Sequence, residues 1–146
     1  MLRNRIKRHA SFVLRLVVAG VFIAAALGKL RDPAAFAEET GNYQLFPELA
    51  NAIAVAVPSI ELVCAVFLLL GWRHWRNGAA LALVVMLAIF STAIARAWAL
   101  GLNLECGCFG TGSTHVGPWP ILRNIGLAAA LALALWLDHQ PTSQEG

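Results

Sequence analysis

Four runs of the chain, at 11–30, 50–70, 78–100 and 121–137, are apolar on every side rather than along one stripe. A helix lying on a soluble core must show water a polar face, and its sequence alternates accordingly; these runs do not. Each is close to the ~20 residues that carry an α-helix across ~30 Å of hydrocarbon. The fourth is the shortest, but it has no charged residue from Ile125 to Leu137. Only 13% of the 146 residues are charged, about half the ~25% of an ordinary soluble domain, so the surface has to face membrane lipid. The expected fold is an all-α integral membrane four-helix bundle. The short connections leave no room for a second unit, and residues 1–146 are read as a single transmembrane domain without internal repeats. The polar end at 140–146 reads as a frayed tail.

The formal net charge of +3 does not mark a nucleic-acid binder, because the cations follow topology. Arg3, Arg5, Lys7 and Arg8 precede the first run, and Arg73 and Arg76 lie between the second and third. Lysine and arginine gather on the cytoplasmic side of a span, which puts both termini in the cytoplasm and the other two loops outside. The expected location is a bacterial inner (plasma) membrane, crossed four times. Trp72 and Trp75 at one level, with Trp98 and Trp119 at the other, fall where indole favours the lipid–water boundary. Residues 1–26 also imitate a signal peptide, with a basic start, an apolar stretch and Ala24-Ala25-Ala26. That stretch exceeds the ~7–15 residues of such a segment and runs on to Lys29, so it is read as a span.

Between the first two runs, Asp32 is suited to cap a short interfacial helix that starts with Pro33 and ends at Gly41. Phe36, Tyr43, Leu45 and Phe46 would lay this segment on the membrane surface or over the bundle mouth, an interfacial connector being the simpler expectation. Pro58 should kink the second span.

The outer loop before the fourth run holds Cys106-Gly107-Cys108-Phe109-Gly110. Cysteines at i and i+2 of an extended chain stand too far apart to bond, and Gly107 supplies the freedom for a tight turn that would join them. So small a ring departs from relaxed geometry, and strained bridges are the readily reduced, exchanging kind. It closes almost no chain and would add little stability by restraining the unfolded state. The pair therefore points to thiol–disulfide exchange, with Gly110 and Gly112 leaving room for a partner's sulfur. Two soft ligands with His115, seven residues beyond Cys108, make a copper(I) or zinc site the alternative, although no fourth ligand is obvious. Cys64, alone inside the second span, reads as a small hydrophobe.

Charged groups inside spans are costly and face the bundle interior, paired. Lys29 at the outer end of the first run, Arg96 one turn below the outer end of the third and Arg123 at the outer start of the fourth stand at the level of the cysteine loop. Glu61 lies near the middle of the second, roughly 15 Å below the outer end of its helix at ~1.5 Å per residue. In the plainer reading the cations snorkel to headgroups and Glu61 pairs with one of them, which makes its burial tolerable. In the functional reading they also lower a cysteine pKa, and Glu61 carries protons as the disulfide is made or broken. Both readings require the pairing. Arg15, one turn into the first span, reads as a topology anchor.

Gly28-Lys29-Leu30-Arg31-Asp32-Pro33, Asn42-Tyr43-Gln44-Leu45-Phe46-Pro47, Pro58-Ser59-Ile60-Glu61-Leu62 and Cys106-Gly107-Cys108-Phe109-Gly110, in that order, resemble the MauE family of methylamine-utilisation membrane proteins within the broader DoxX-like group. The resemblance runs from Phe12 to Trp136. It implies a four-helix inner-membrane protein linked to disulfide formation or to maturation of extracytoplasmic proteins, beside a thioredoxin-like partner. It also implies Lys29, Glu61, Cys106 and Cys108 as characteristic positions. DoxX-like proteins include quinone-linked components of sulfur oxidation. Four-helix disulfide generators that hand electrons to quinone use two cysteine pairs, whereas this chain has one pair plus Cys64; lipid-soluble quinone could still take electrons directly from the pair. The expected function is a membrane thiol–disulfide oxidoreductase that exchanges electrons between an extracytoplasmic thioredoxin-like protein and the membrane. Cys106 attacks and Cys108 resolves, with Lys29, Arg96 or Arg123 activating the attacking sulfur. A metal-handling membrane protein and a non-catalytic assembly subunit are the alternatives.

Overall fold

The computed structural model describes residues 2–105 and 115–139. Among them are five α-helices: α1 (Leu2–Arg31), α2 (Pro33–Asn42), α3 (Ala50–Leu70), α4 (Arg73–Ala99) and α5 (Pro118–His139), with one 3-10 turn at Pro47–Leu49 leading into α3. All but α2 are long and apolar enough to cross a membrane, and they coincide with the four apolar runs, the third of which ends one residue beyond α4. The helices outrun those stretches at the polar ends. α1 begins inside the basic segment at 3–8 and α4 takes in the polar residues at 73–77, because a hydrogen-bonded helix is not obliged to stop where hydrocarbon does.

Each spanning helix packs on two neighbours, in the cyclic order α1, α3, α4, α5, which is an up-down-up-down bundle. Ala19, Ala26, Ala65, Ala80 and Ala134 are fully buried; small side chains let helices approach closely where lipid provides no hydrophobic drive between them. Val18, Phe22, Leu68, Leu83, Leu87 and Leu131 fill the core, and Cys64 sits among them as a free thiol. Val17, Val55, Val63, Leu81, Ile89, Leu122 and Ile125 face outward and are exposed, the inverse of a soluble protein.

The start of α1 and the end of α5 lie at one end of the bundle. There Ser11 Oγ donates to the Ala134 carbonyl at 3.1 Å and to Asp138 Oδ1 at 2.6 Å. Arg15, read as a topology anchor, is 7% exposed; its Nε lies 3.7 Å from Asp138 Oδ2 and donates to the Ser11 carbonyl at 3.4 Å. Arg76 of α4 reaches the same carboxylate at 3.6 Å. The two guanidinium groups therefore share one carboxylate within the protein.

The opposite end carries α2 and the segment after α4. Asp32 caps α2 through Oδ1, which accepts from the Ala35 amide at 3.0 Å, with Pro33 as first residue. The helix ends one residue beyond Gly41, and the left-handed residue is Gln44, at φ 54°. α2 is more than a surface connector, since Phe36 and Ala37 bury against Ala54 and Val57 of α3. α4 stops in a Schellman turn. The Leu102 amide donates to the Ala97 carbonyl and the Gly101 amide to that of Trp98, both at 3.0 Å, with Gly101 at φ 68°.

Candidate functional site

A buried ion pair joins α1 to α3. Lys29 Nζ donates to Glu61 Oε1 at 2.7 Å and to Oε2 at 2.9 Å, and the two residues are 1% and 2% exposed. Glu61 was expected well below the cations. The two side chains meet because α3 begins beyond the end of α1, and α2 packs on the extra turns. The Lys29 ammonium also sits 5.5 Å from the ring centres of Phe36 and Phe90, within cation–π range. Phe36 thereby covers the pair from α2.

A cavity of about 30 Å³, space for about one water, adjoins the pair and is lined by Lys29, Glu61, Phe90, Arg123 and Asn124. Asn124 is buried and donates through Nδ2 to Ser91 Oγ at 3.1 Å. This inner polar cluster therefore gathers three of the expected residues, Lys29, Glu61 and Arg123, and adds Asn124 and Ser91.

Arg96 belongs to a different group of contacts. It is exposed, and Nη1 donates to the Tyr43 carbonyl at 3.1 Å, while the Tyr43 hydroxyl donates to the Glu105 carbonyl at 3.3 Å. Glu105 pairs with His115 in an antiparallel bridge, extended by the Val116 amide donating to the Leu104 carbonyl at 2.9 Å. These contacts fix the root of the segment at 106–114. Cys106 and Cys108 lie outside the described residues. Among the described residues, no three His, Cys, Asp or Glu side chains are grouped so as to hold a metal ion.

Two carboxylic acids meet at the same root. Burial first, then the Glu105 charge and a hydrogen bond with it, then Asp32 and Glu38, hold the Glu39 carboxyl above its ordinary value. A raised carboxyl of this kind can keep a proton where an isolated one would lose it. Below it, an apolar cavity of about 270 Å³ opens between α2, α3 and α4, with Phe36, Tyr43, Phe46, Val57, Met86 and Phe90 among its lining residues and Glu39 at a polar edge.

The sequence reading passed over Asp138, Glu39, Asn124 and Ser91. Asp138 was detectable as a carboxylate ending the fourth span at the depth of Arg15. The Glu39–Glu105 contact joins positions 66 residues apart, with no periodicity to announce it.

Residues 7–137 match the family model described as methylamine utilisation protein MauE. The chain is 35% identical over 130 residues to a methylamine utilization protein MauE of Paracoccus denitrificans, an alignment spanning 86% of this chain and 69% of that one. It is 36% identical over 135 residues to the MauE of Methylophilus methylotrophus, spanning 90% and 68% of the two chains. With the MauE of Paracoccus versutus it shares 32% identity over 124 residues, 84% and 66%. No solved structure matches the chain.

Proposed function

The chain belongs to the MauE family, and we propose that it serves methylamine utilisation as a membrane thiol–disulfide oxidoreductase whose exchanging pair is Cys106 and Cys108. The observation that carries the reading is the Glu105–His115 bridge. It pins together the two ends of the cysteine-bearing segment and, through Tyr43 and Arg96, ties them to the bundle. A dithiol held on a fixed root at the membrane surface is arranged for a protein partner to reach.

The partner is an extracytoplasmic thioredoxin-like protein, and the protein lies in the inner membrane with both termini cytoplasmic. In one direction the Cys106 thiolate attacks a partner disulfide, forming a mixed disulfide and releasing one partner thiolate. The Cys108 thiolate then attacks Cys106 Sγ, releasing the second partner thiolate and closing the Cys106–Cys108 disulfide, so two electrons have passed to the partner. The reverse sequence oxidises the partner and leaves two thiols on this chain, supporting disulfide formation in a client. Arg96, fixed at the root by the Tyr43 carbonyl, supplies positive charge that favours the thiolate. The Lys29 charge is matched by Glu61 in direct contact, so this pair acts as a positioning device that holds α1, α3 and, through Phe36, α2.

Returning two thiols to a disulfide needs an acceptor of two electrons and two protons, which is the chemistry a lipid-soluble quinone supplies when bound. The cavity beside the root fits such a ring: Phe36, Phe46 and Phe90 offer flat apolar faces, and Glu39 and Tyr43 offer polar groups at one edge.

The test uses Cys106→Ser and Cys108→Ser in the full chain, with alkylation and non-reducing gels to detect a covalent complex. One variant should accumulate a mixed disulfide with the thioredoxin-like partner. Absence of any trapped species, together with wild-type activity of both variants in cells, overturns the reading.

A further inference from the structure

At the end of the bundle that holds the start of α1 and the end of α5, α1, α4 and α5 border an open cleft of about 930 Å³. Its walls carry Arg5, Lys7, Arg8, Arg15, Arg73 and Arg76, faced by the carboxylate of Asp138. That acid is already shared by Arg15 and Arg76 at 3.7 and 3.6 Å, so the cleft retains a large positive excess. The Arg76 Nε is buried without a hydrogen-bond partner. Guanidinium forks match phosphate oxygens in geometry as well as in charge.

A second feature, independent of charge, sits against the first. From the rim of the cleft, sharing Arg5, His9 and Leu137 with it, an apolar groove of about 630 Å³ runs between α1 and α5 along Ile6, Ala10, Val13, Leu14 and Leu133. A free phosphate or a nucleotide would use the cleft and ignore the groove. A zwitterionic lipid would bring an ammonium into a site whose carboxylate is already engaged.

We propose that the cleft and groove together form a binding site for an anionic phospholipid, its phosphodiester held by Arg5, Arg8, Arg73 and Arg76 and one acyl chain lying between α1 and α5. This site is at the opposite end of the bundle from the cysteine segment and does not depend on the redox reading. It ties α1 and α5 to the α3–α4 turn through a lipid, where protein contacts alone leave an opening.

The experiment is native mass spectrometry of the full chain in detergent micelles, offered equal amounts of phosphatidylglycerol and phosphatidylcholine. Wild type should retain phosphatidylglycerol, one per chain, with at least a tenfold preference. A triple variant, Arg5→Gln with Arg8→Gln and Arg73→Gln, should lose roughly 100-fold in retention, since each cation near an anionic lipid is worth about a fivefold factor. The matching Lys triple variant keeps the charge but not the fork geometry and should lose far less retention than the Gln variant, which separates charge from damage to the fold; a Lys variant that loses as much as the Gln variant would count against the charge argument. Ala10→Trp, which fills the groove, should also weaken retention. Equal retention of both lipids, no effect of either the Gln triple variant or Ala10→Trp, or displacement of phosphatidylglycerol by millimolar inorganic phosphate would overturn the proposal.

Discussion

Removing one partner of the Lys29–Glu61 pair should damage the protein far more than removing both. The pair is closed on both carboxylate oxygens, at 2.7 and 2.9 Å, and neither residue is more than 2% exposed. Deleting a single member of a buried pair strands the other, at about 3–5 kcal/mol in protein interiors. Insertion scales put a lone charge at the middle of a spanning helix at ~2.5–3.5 kcal/mol. The two routes overlap near ~3 kcal/mol, and Lys29→Met and Glu61→Leu should each lose about that much. Methionine is chosen because its thioether preserves contact with the Phe36 and Phe90 rings that flank the ammonium. The double variant leaves no charge and nearly the same volume, so it should fall within ~1 kcal/mol of wild type, a non-additivity of roughly 5 kcal/mol. Reversible unfolding in mixed micelles, titrated with a denaturing detergent and followed by far-ultraviolet circular dichroism, measures all four corners of the cycle. Single variants within ~1 kcal/mol of wild type, or a double variant as damaged as the sum of the singles, would refute the reasoning.

Three further outcomes follow from other parts of the structure. Asp138→Ala removes the shorter of Ser11's two acceptors, leaving the Ala134 carbonyl, and the acid shared by Arg15 and Arg76; it should lose about 2–3 kcal/mol in the same unfolding assay, whereas Arg76→Ala, at a more open position, should lose under ~1 kcal/mol. Glu39 has a folded-state pKa above its unfolded one, so the native state binds more protons. Its contribution is full below the ordinary carboxyl value of about 4.5 and disappears as pH rises through the folded value, and unfolding at a series of pH values should show that slope in wild type and not in Glu39→Gln. Gly101→Ala meets no atom within 4 Å but keeps a left-handed φ of 68°, so it should cost about 1–2 kcal/mol through backbone strain alone.

The spans were legible because hydrocarbon accepts few residue types, so each crossing prints an unbroken apolar run. Asp32 and Pro33 announced α2 for an equally local reason: a cap and a fixed φ act on the next turn only. The end of α2 was less legible: Gly41 was expected to end it, but the helix continues to Asn42 and the left-handed residue is Gln44. For the ion pair, composition showed that Glu61 needed a cation but could not choose among Lys29, Arg96 and Arg123. That choice depends on the vertical offset between α1 and α3, which no single helix encodes. The pairing of Arg15 was illegible for the same reason, its partner lying 123 positions away at Asp138. The Glu39–Glu105 contact arises only where α2 folds back beneath the root of the loop.

The buried lysine and glutamate also set a schedule for biogenesis. They lie 32 positions apart, so at ribosomal speeds of ~5–20 residues per second the acid is synthesised roughly 2–6 s after its base. Until it arrives, the first helix carries a bare ammonium that hydrocarbon rejects. Release of the first two crossings as a neutralised hairpin would spare that ammonium a search for the headgroups, and the remaining helices would close around a unit that is already electrically complete.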